Sequence, residues 1–331
     1  MSHRCVAVAS TVIGVVALTP LFAMAQAAEL PRTPWGAPNL QGVWDFRSIT
    51  PMERPAGLAD KEFLTEEEAV NLEQEAIDRN ERLLNQPAER APVLRSLEAR
   101  PEGKPGFYNN FWLDEGTKTV GTRRTSLIVD PPDGKIPPLI PAAEEQRAAD
   151  RAARRGVTFH QPSPGGGVED LGQGGLQLRC ITGQNSGPPM TPGGYNNNMQ
   201  VFQTADYVVL LNEMTYFRIV PLDGPAHVDL PQWTGDARGH WEGETLVVET
   251  ANFLRETSFL LGESDANLHL VERFTRVSPE TLMYEATIDD PTVWTRPWTF
   301  QVPMELNDQP LYEYACHEGN YGLTNILAGA R

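Results

Sequence analysis

Between residues 199 and 302 apolar and polar positions alternate almost without interruption, and a period of two marks a half-buried strand. The segments 199–204, 206–212, 215–221, 238–242, 244–250, 267–277, 281–289 and 293–302 each read as a strand, and 310–317 extends the series. Ala205-Asp206, Glu242-Gly243 and Ser278-Pro279-Glu280 are connections short enough to make consecutive strands antiparallel neighbours. Upstream, 39–46 reads as a first strand. A further strand, 119–130, ends in the turn Asp130-Pro131-Pro132-Asp133-Gly134. At two places the pattern becomes helical. Thr65-Glu66-Glu67-Glu68 is an N-cap with an acidic first turn, opening a helix to about Leu84, and a second helix spans 142–155, stopped by Gly156. The fold expected is mostly β: an antiparallel meander forming an open or closed barrel, with two peripheral helices.

The N-terminus breaks this pattern. Arg4 precedes a mostly apolar run, 6–21, and Ala23-Met24-Ala25 fits a small-x-small cleavage site, so 1–25 reads as a signal peptide. The run is short and broken by Pro20, which argues against an uncleaved anchor. Residues 26–331 then read as a single β-rich domain with helical and loop insertions at about 60–118 and 142–198. Arg4 is the only charged side chain in 1–25, so its removal takes the net charge from −17 to −18. So acidic a body, with no basic stripe, repels nucleic acid and anionic headgroups. Cys5 leaves with the signal, and Cys180 and Cys316 remain; in an oxidising compartment one pair is most simply a disulfide. The chain is expected to be periplasmic or secreted, without stable membrane insertion.

Four strings resemble those of a large group of exported bacterial β-rich proteins without established activity. They are Arg124-Thr125-Ser126-Leu127-Ile128-Val129-Asp130-Pro131-Pro132-Asp133-Gly134, Trp241-Glu242-Gly243-Glu244-Thr245-Leu246-Val247-Val248-Glu249-Thr250, Trp294-Thr295-Arg296-Pro297-Trp298, and Tyr312-Glu313-Tyr314-Ala315-Cys316-His317-Glu318-Gly319-Asn320-Tyr321. The resemblance implies export and kinship and supplies no chemistry. Separately, Gly42-Val43-Trp44 resembles the Gly-x-Trp element of lipocalin-like barrels, which implies that the meander curls in that way.

Chemistry concentrates at the strand ends of the last third. His227, Asp236 and Arg238 bring a base, a carboxylate to orient it and a guanidinium to hold an oxygen. On an extended strand Arg238, His240 and Glu242 share one face, so His240 and Glu242 join them as substrate-binding candidates. His317 is a second candidate acid or base and shares a face with Glu313. Arg296, flanked by Trp294 and Trp298, is either a pocket clamp for an anion or carbonyl or a barrel-closing residue packed on Trp44. Asn110 and Trp112, in the aromatic-amide run 107–112, suit stacking on a ring or sugar. The mid-strand Glu249, Glu272, Glu285 and Glu313 face either a polar lumen or, by default, water.

Metal binding by His227, His240 and His317 lacks the usual His spacings, and there is no Gly-x-Ser-x-Gly elbow. Gly-rich 165–175 does not link a strand to a helix as a nucleotide loop would. The function expected is a cofactor-free lyase, hydratase or isomerase acting on a small, partly apolar, oxygenated molecule. A lipocalin-like carrier of a hydrophobic ligand, or a glycan-active enzyme pairing Glu242 with Glu318, are the alternatives. In a meander barrel His227 and His317 are expected at a common mouth, walled by 107–112 and 196–198.

Overall fold

A computed structural model describes residues 30–85, 116–153, 176, 179–182, 187–194, 196–213, 217–255 and 266–324. The proposed signal peptide, Asn110 and Trp112 with the rest of 107–112, and Gly-rich 165–175 lie outside the described residues.

Alternation dictates the strands. They are β1 (Gly42–Asp45), β2 (Ile128–Asp130), β3 (Asn198–Gln203), β4 (Tyr207–Asn212), β5 (Phe217–Pro221), β6 (Asp236–Glu242), β7 (Thr245–Ala251), β8 (His269–Arg276), β9 (Thr281–Asp289) and β10 (Trp298–Asn307). In β9 every second side chain is buried, and Leu282, Tyr284, Ala286 and Ile288 all face the core. The ten strands make one antiparallel sheet in the order β5-β4-β3-β1-β10-β9-β8-β7-β6, with β2 also paired to β10. The sheet is not closed. Among the described residues its end strands, β5 and β6, share no ladder and are linked by one parallel bridge, Leu222 to Gly239, where the Asp223 N–H donates to the Gly239 carbonyl at 2.9 Å. A Cβ on Gly239 would lie 2.8 Å from Val220 Cγ1 and 2.9 Å from Leu222 Cδ2, so any larger residue there must push these side chains aside.

The inner face of the curved sheet is filled with side chains. The ring centroids of Tyr284 lie 5.1 Å from Phe274 and 6.0 Å from Phe300, and Trp298 lies 6.1 Å from Phe300. Trp44 is fully buried and donates Nε1–H to the Leu40 carbonyl at 2.8 Å. Gly42 ahead of it sits at φ +141°, with Leu306 Cδ1 only 2.8 Å from where a Cβ would be. The arginine over the Trp44 ring is Arg276, 5.1 Å from its centroid, which also donates to Asn39 O at 2.8 Å. Arg296 is not the residue on Trp44: half-exposed, it pairs with Asp130 at 2.6 Å from a segment that lies outside the sheet ahead of β10.

Three strand boundaries differ from expectation. Residues 119–127 are irregular because the chain turns at Gly121–Arg123, with Arg123 at φ +59°. β10 begins five residues later than expected and runs through Pro303 to Asn307. The Gln301 N–H donates to Leu127 O, so Pro303, two residues on, faces the same side. There the neighbour changes from β2, paired at Phe300, to β1, paired from Glu305, and no ladder bond is lost. Residues 310–317 form no strand: β10 is already flanked by β9 and β1, and Pro310 follows the turn that ends it.

Two α-helices, α1 (Glu66–Asn85) and α2 (Pro141–Ala153), and one 3-10 turn (Ala56–Leu58) lie outside the sheet. α1 opens on a reciprocal cap, in which Glu68 N–H donates to Thr65 Oγ1 at 3.2 Å and Thr65 N–H to Glu68 Oε2 at 2.8 Å. Cys180 and Cys316 are bonded, with Cα atoms 5.8 Å apart. No described helix is long and apolar enough to cross a membrane.

Candidate functional site

β6 begins at Asp236 because the preceding turn delivers it with its carboxylate against the 225–228 loop. The side chain is only 7% exposed, and three groups converge on it. Arg238 Nη1 donates to Oδ1 at 2.6 Å, the Val228 N–H donates to Oδ2 at 2.9 Å, and His227 Nδ1 lies 3.3 Å from Oδ2. An ionised Asp236 only accepts, so His227 places its proton on Nδ1 and leaves Nε2 as the basic nitrogen. Among the described residues nothing bonds Nε2, and the ring is 28% exposed. Arg238 is fixed by Nε to Pro225 O at 2.9 Å and by Nη1 to Ala237 O at 2.8 Å, which leaves Nη2 unbonded among the described residues. The three residues singled out in the sequence therefore form one unit: a braced imidazole and a guanidinium on a shared carboxylate.

His240 and Glu242 lie further along the same face of β6 but form a different pair, Nε2 to Oε1 at 3.2 Å. Arg273 on β8 donates to Glu242 at 2.7 Å and, with His240, lowers the carboxyl's pKa. His317 lines a groove of about 400 Å³ between the β4–β5 edge and residues 311–318, together with Glu318, Phe217 and Asn212. His227, Asp236 and Arg238 are not among that groove's lining residues. Both β5 and β6 start at the same end of the sheet, since the Leu222–Gly239 bridge between them is parallel.

One polar cluster was missed. Inside the sheet Arg218 and Glu272 make a bidentate ion pair, Nη2 to Oε1 at 2.9 Å and Nη1 to Oε2, with the two side chains 3% and 0% exposed. The Tyr284 hydroxyl donates to Glu272 Oε1 at 2.8 Å and accepts from the Met190 N–H at 3.1 Å. Burial, then the Glu272 charge, pushes the Tyr284 pKa well above its ordinary value. The signal lay in phase: Glu272 shares its face with Leu270 and Phe274, and Arg218 shares its face with Val220. Among the described residues no group of three or more His, Cys, Asp or Glu side chains is arranged to hold a metal ion.

No protein-family model, curated protein or solved structure matches the chain.

Proposed function

We propose that the chain is an exported, cofactor-free enzyme whose working centre is His227, braced by Asp236 and partnered by Arg238. Its substrate class is a small, partly apolar molecule carrying a carbonyl or hydroxyl. The observation that carries this reading is the single carboxylate that fixes both His227 Nδ1 and Arg238 Nη1 and leaves His227 Nε2 and Arg238 Nη2 without described partners. His227 Nε2 would take a proton from the carbon beside a carbonyl, and Asp236 would stabilise the imidazolium formed. Arg238 would hold the oxygen on which charge develops. The proton then returns to carbon in an isomerisation, or to a departing hydroxyl in an elimination.

Export is supported by the Cys180–Cys316 bond and by the signal-like pattern of 1–25. A lipocalin-like curl is supported by Arg276 on the Trp44 ring and by the β5–β6 bridge. A carrier with its ligand inside the sheet is less favoured, since the rings of Phe274, Tyr284, Trp298 and Phe300 fill the inner face. The glycan-active reading is weakened because Glu242 is not among the residues lining the groove that holds Glu318. A panel of small hydroxy- and oxo-compounds screened for turnover by the mature protein and by His227→Ala tests the proposal. The wild type should convert a member of the panel and the variant should lose roughly 10²–10⁴-fold in rate. Recovery of every compound unchanged, or an equally active variant, overturns it.

A further inference from the structure

The groove at the β4–β5 edge has a composition that the His227 centre does not share. Three of its walls are aromatic rings, Phe217 from β5 and Tyr312 and Tyr314 from the C-terminal segment. Three more are carboxylates, Glu213, Glu313 and Glu318, and its described lining contains no lysine or arginine. Glu213 is held by Asn198 Nδ2 at 3.1 Å, and Asn198 in turn accepts from Asn307 Nδ2 at 3.0 Å. The Cys180–Cys316 bond ties down the segment that supplies the opposite wall.

Asn212 supplies an independent observation. It lines the groove, is 3% exposed, and among the described residues neither its amide oxygen nor its amide nitrogen has a hydrogen-bond partner. Buried amides are nearly always bonded, because leaving one unmet sacrifices its hydration. A group kept in that state beside an open groove marks a place where stability has been yielded to binding.

We propose that this groove binds a small organic cation, a quaternary or protonated amine with a short polar arm. The positive head would lie against the ring faces of Phe217, Tyr312 and Tyr314, whose quadrupoles attract a cation that water hydrates weakly. Glu213, Glu313 and Glu318 supply the countercharge. Asn212 would meet a hydroxyl, carbonyl or amide on the arm. The whole chain, at net charge −17, adds attraction at longer range. The groove's described lining includes none of His227, Asp236 and Arg238.

Choline and its uncharged carbon isostere, 3,3-dimethylbutan-1-ol, are the probes, with binding to the mature full-length protein followed by calorimetry or ligand-observed NMR. Choline should bind about tenfold more tightly than the alcohol, a ratio of the size that cation–π and carboxylate contacts produce. The exposed pair Glu313→Gln and Glu318→Gln together, and Tyr312→Ala alone, should each weaken choline and leave the alcohol unchanged. Asn212→Leu should weaken choline while raising the melting temperature, the opposite of what loss of a purely structural residue does. His227→Ala should bind choline as the wild type does. Equal binding of choline and the alcohol, no binding of choline, or an Asn212→Leu variant that melts lower would overturn the proposal.

Discussion

At the scale of single residues, the largest electrostatic commitment lies inside the sheet, away from the candidate site. Glu272 takes both arms of Arg218 and the Tyr284 hydroxyl, with no water contact. Glu272→Gln leaves the guanidinium buried without its charge partner, which should cost about 3–5 kcal/mol in denaturant unfolding. The double change Arg218→Met with Glu272→Leu should cost less, since no lone charge remains. Tyr284 adds a pH dependence. Its folded pKa is raised, first by burial, so above the ordinary value of 10.0 the unfolded chain loses this proton and the folded chain keeps it. Its contribution is whole below that pH and falls as pH rises further. Alkaline melts should show this loss in the wild type and a shallower one in Tyr284→Phe. The sequence held half of this cluster. Glu272 stands in the apolar phase of β8, but its partner lies 54 positions earlier on an edge strand six places away in the sheet, and only the curl of the sheet brings the two together.

At the scale of elements, local signals were readable wherever the chain's own neighbours decide the structure. The Thr65–Glu68 cap opens α1 where that reading put it, and Thr65→Ala should cost about 1 kcal/mol, read from the shift of the unfolding midpoint. Seven of the strands from β3 onward lie within two or three residues of their expected bounds, because alternation and short turns are local properties. Residues 119–127 fail at a local turn, Gly121–Arg123, and the other failures involve a partner distant in sequence. Pro303 looked like a strand end, yet its missing N–H faces the gap between β2 and β1. Residues 310–317 have a strand's composition but pair with none of the ten strands. Arg296 looked like the arginine for Trp44, while Arg276, at the end of β8, holds the position. Gly239 is the element-scale hinge of the β5–β6 contact. Gly239→Val should separate the two edges and speed amide exchange at Asp223, whose N–H bonds the Gly239 carbonyl, with β9 and β10 unaffected.

At the scale of the whole molecule, one open sheet carries its chemistry on edges and ends, and one covalent link spans 136 residues to hold the C-terminal segment against it. On the chain-entropy account that link contributes about 4–5 kcal/mol. Thiol titration of the denatured, unreduced mature protein should find no free thiol, and Cys180→Ser with Cys316→Ser should lower the melting temperature and loosen the groove. The His227 cluster was legible as residues because a turn and one strand contain all of it; its orientation, with His227 Nε2 outward and Asp236 buried, was not, since the 225–228 loop sets it. The measurement closest to the central claim is proton exchange itself. Small oxo- and hydroxy-compounds are incubated with the mature protein in D₂O and followed by NMR. Wild type should place deuterium on the carbon beside the carbonyl of its substrate, His227→Gln should slow this roughly 10²–10⁴-fold, and Arg238→Gln should weaken it through the oxygen contact. Deuterium entering at the same rate with His227→Gln, or entering no compound with the wild type, would contradict the account.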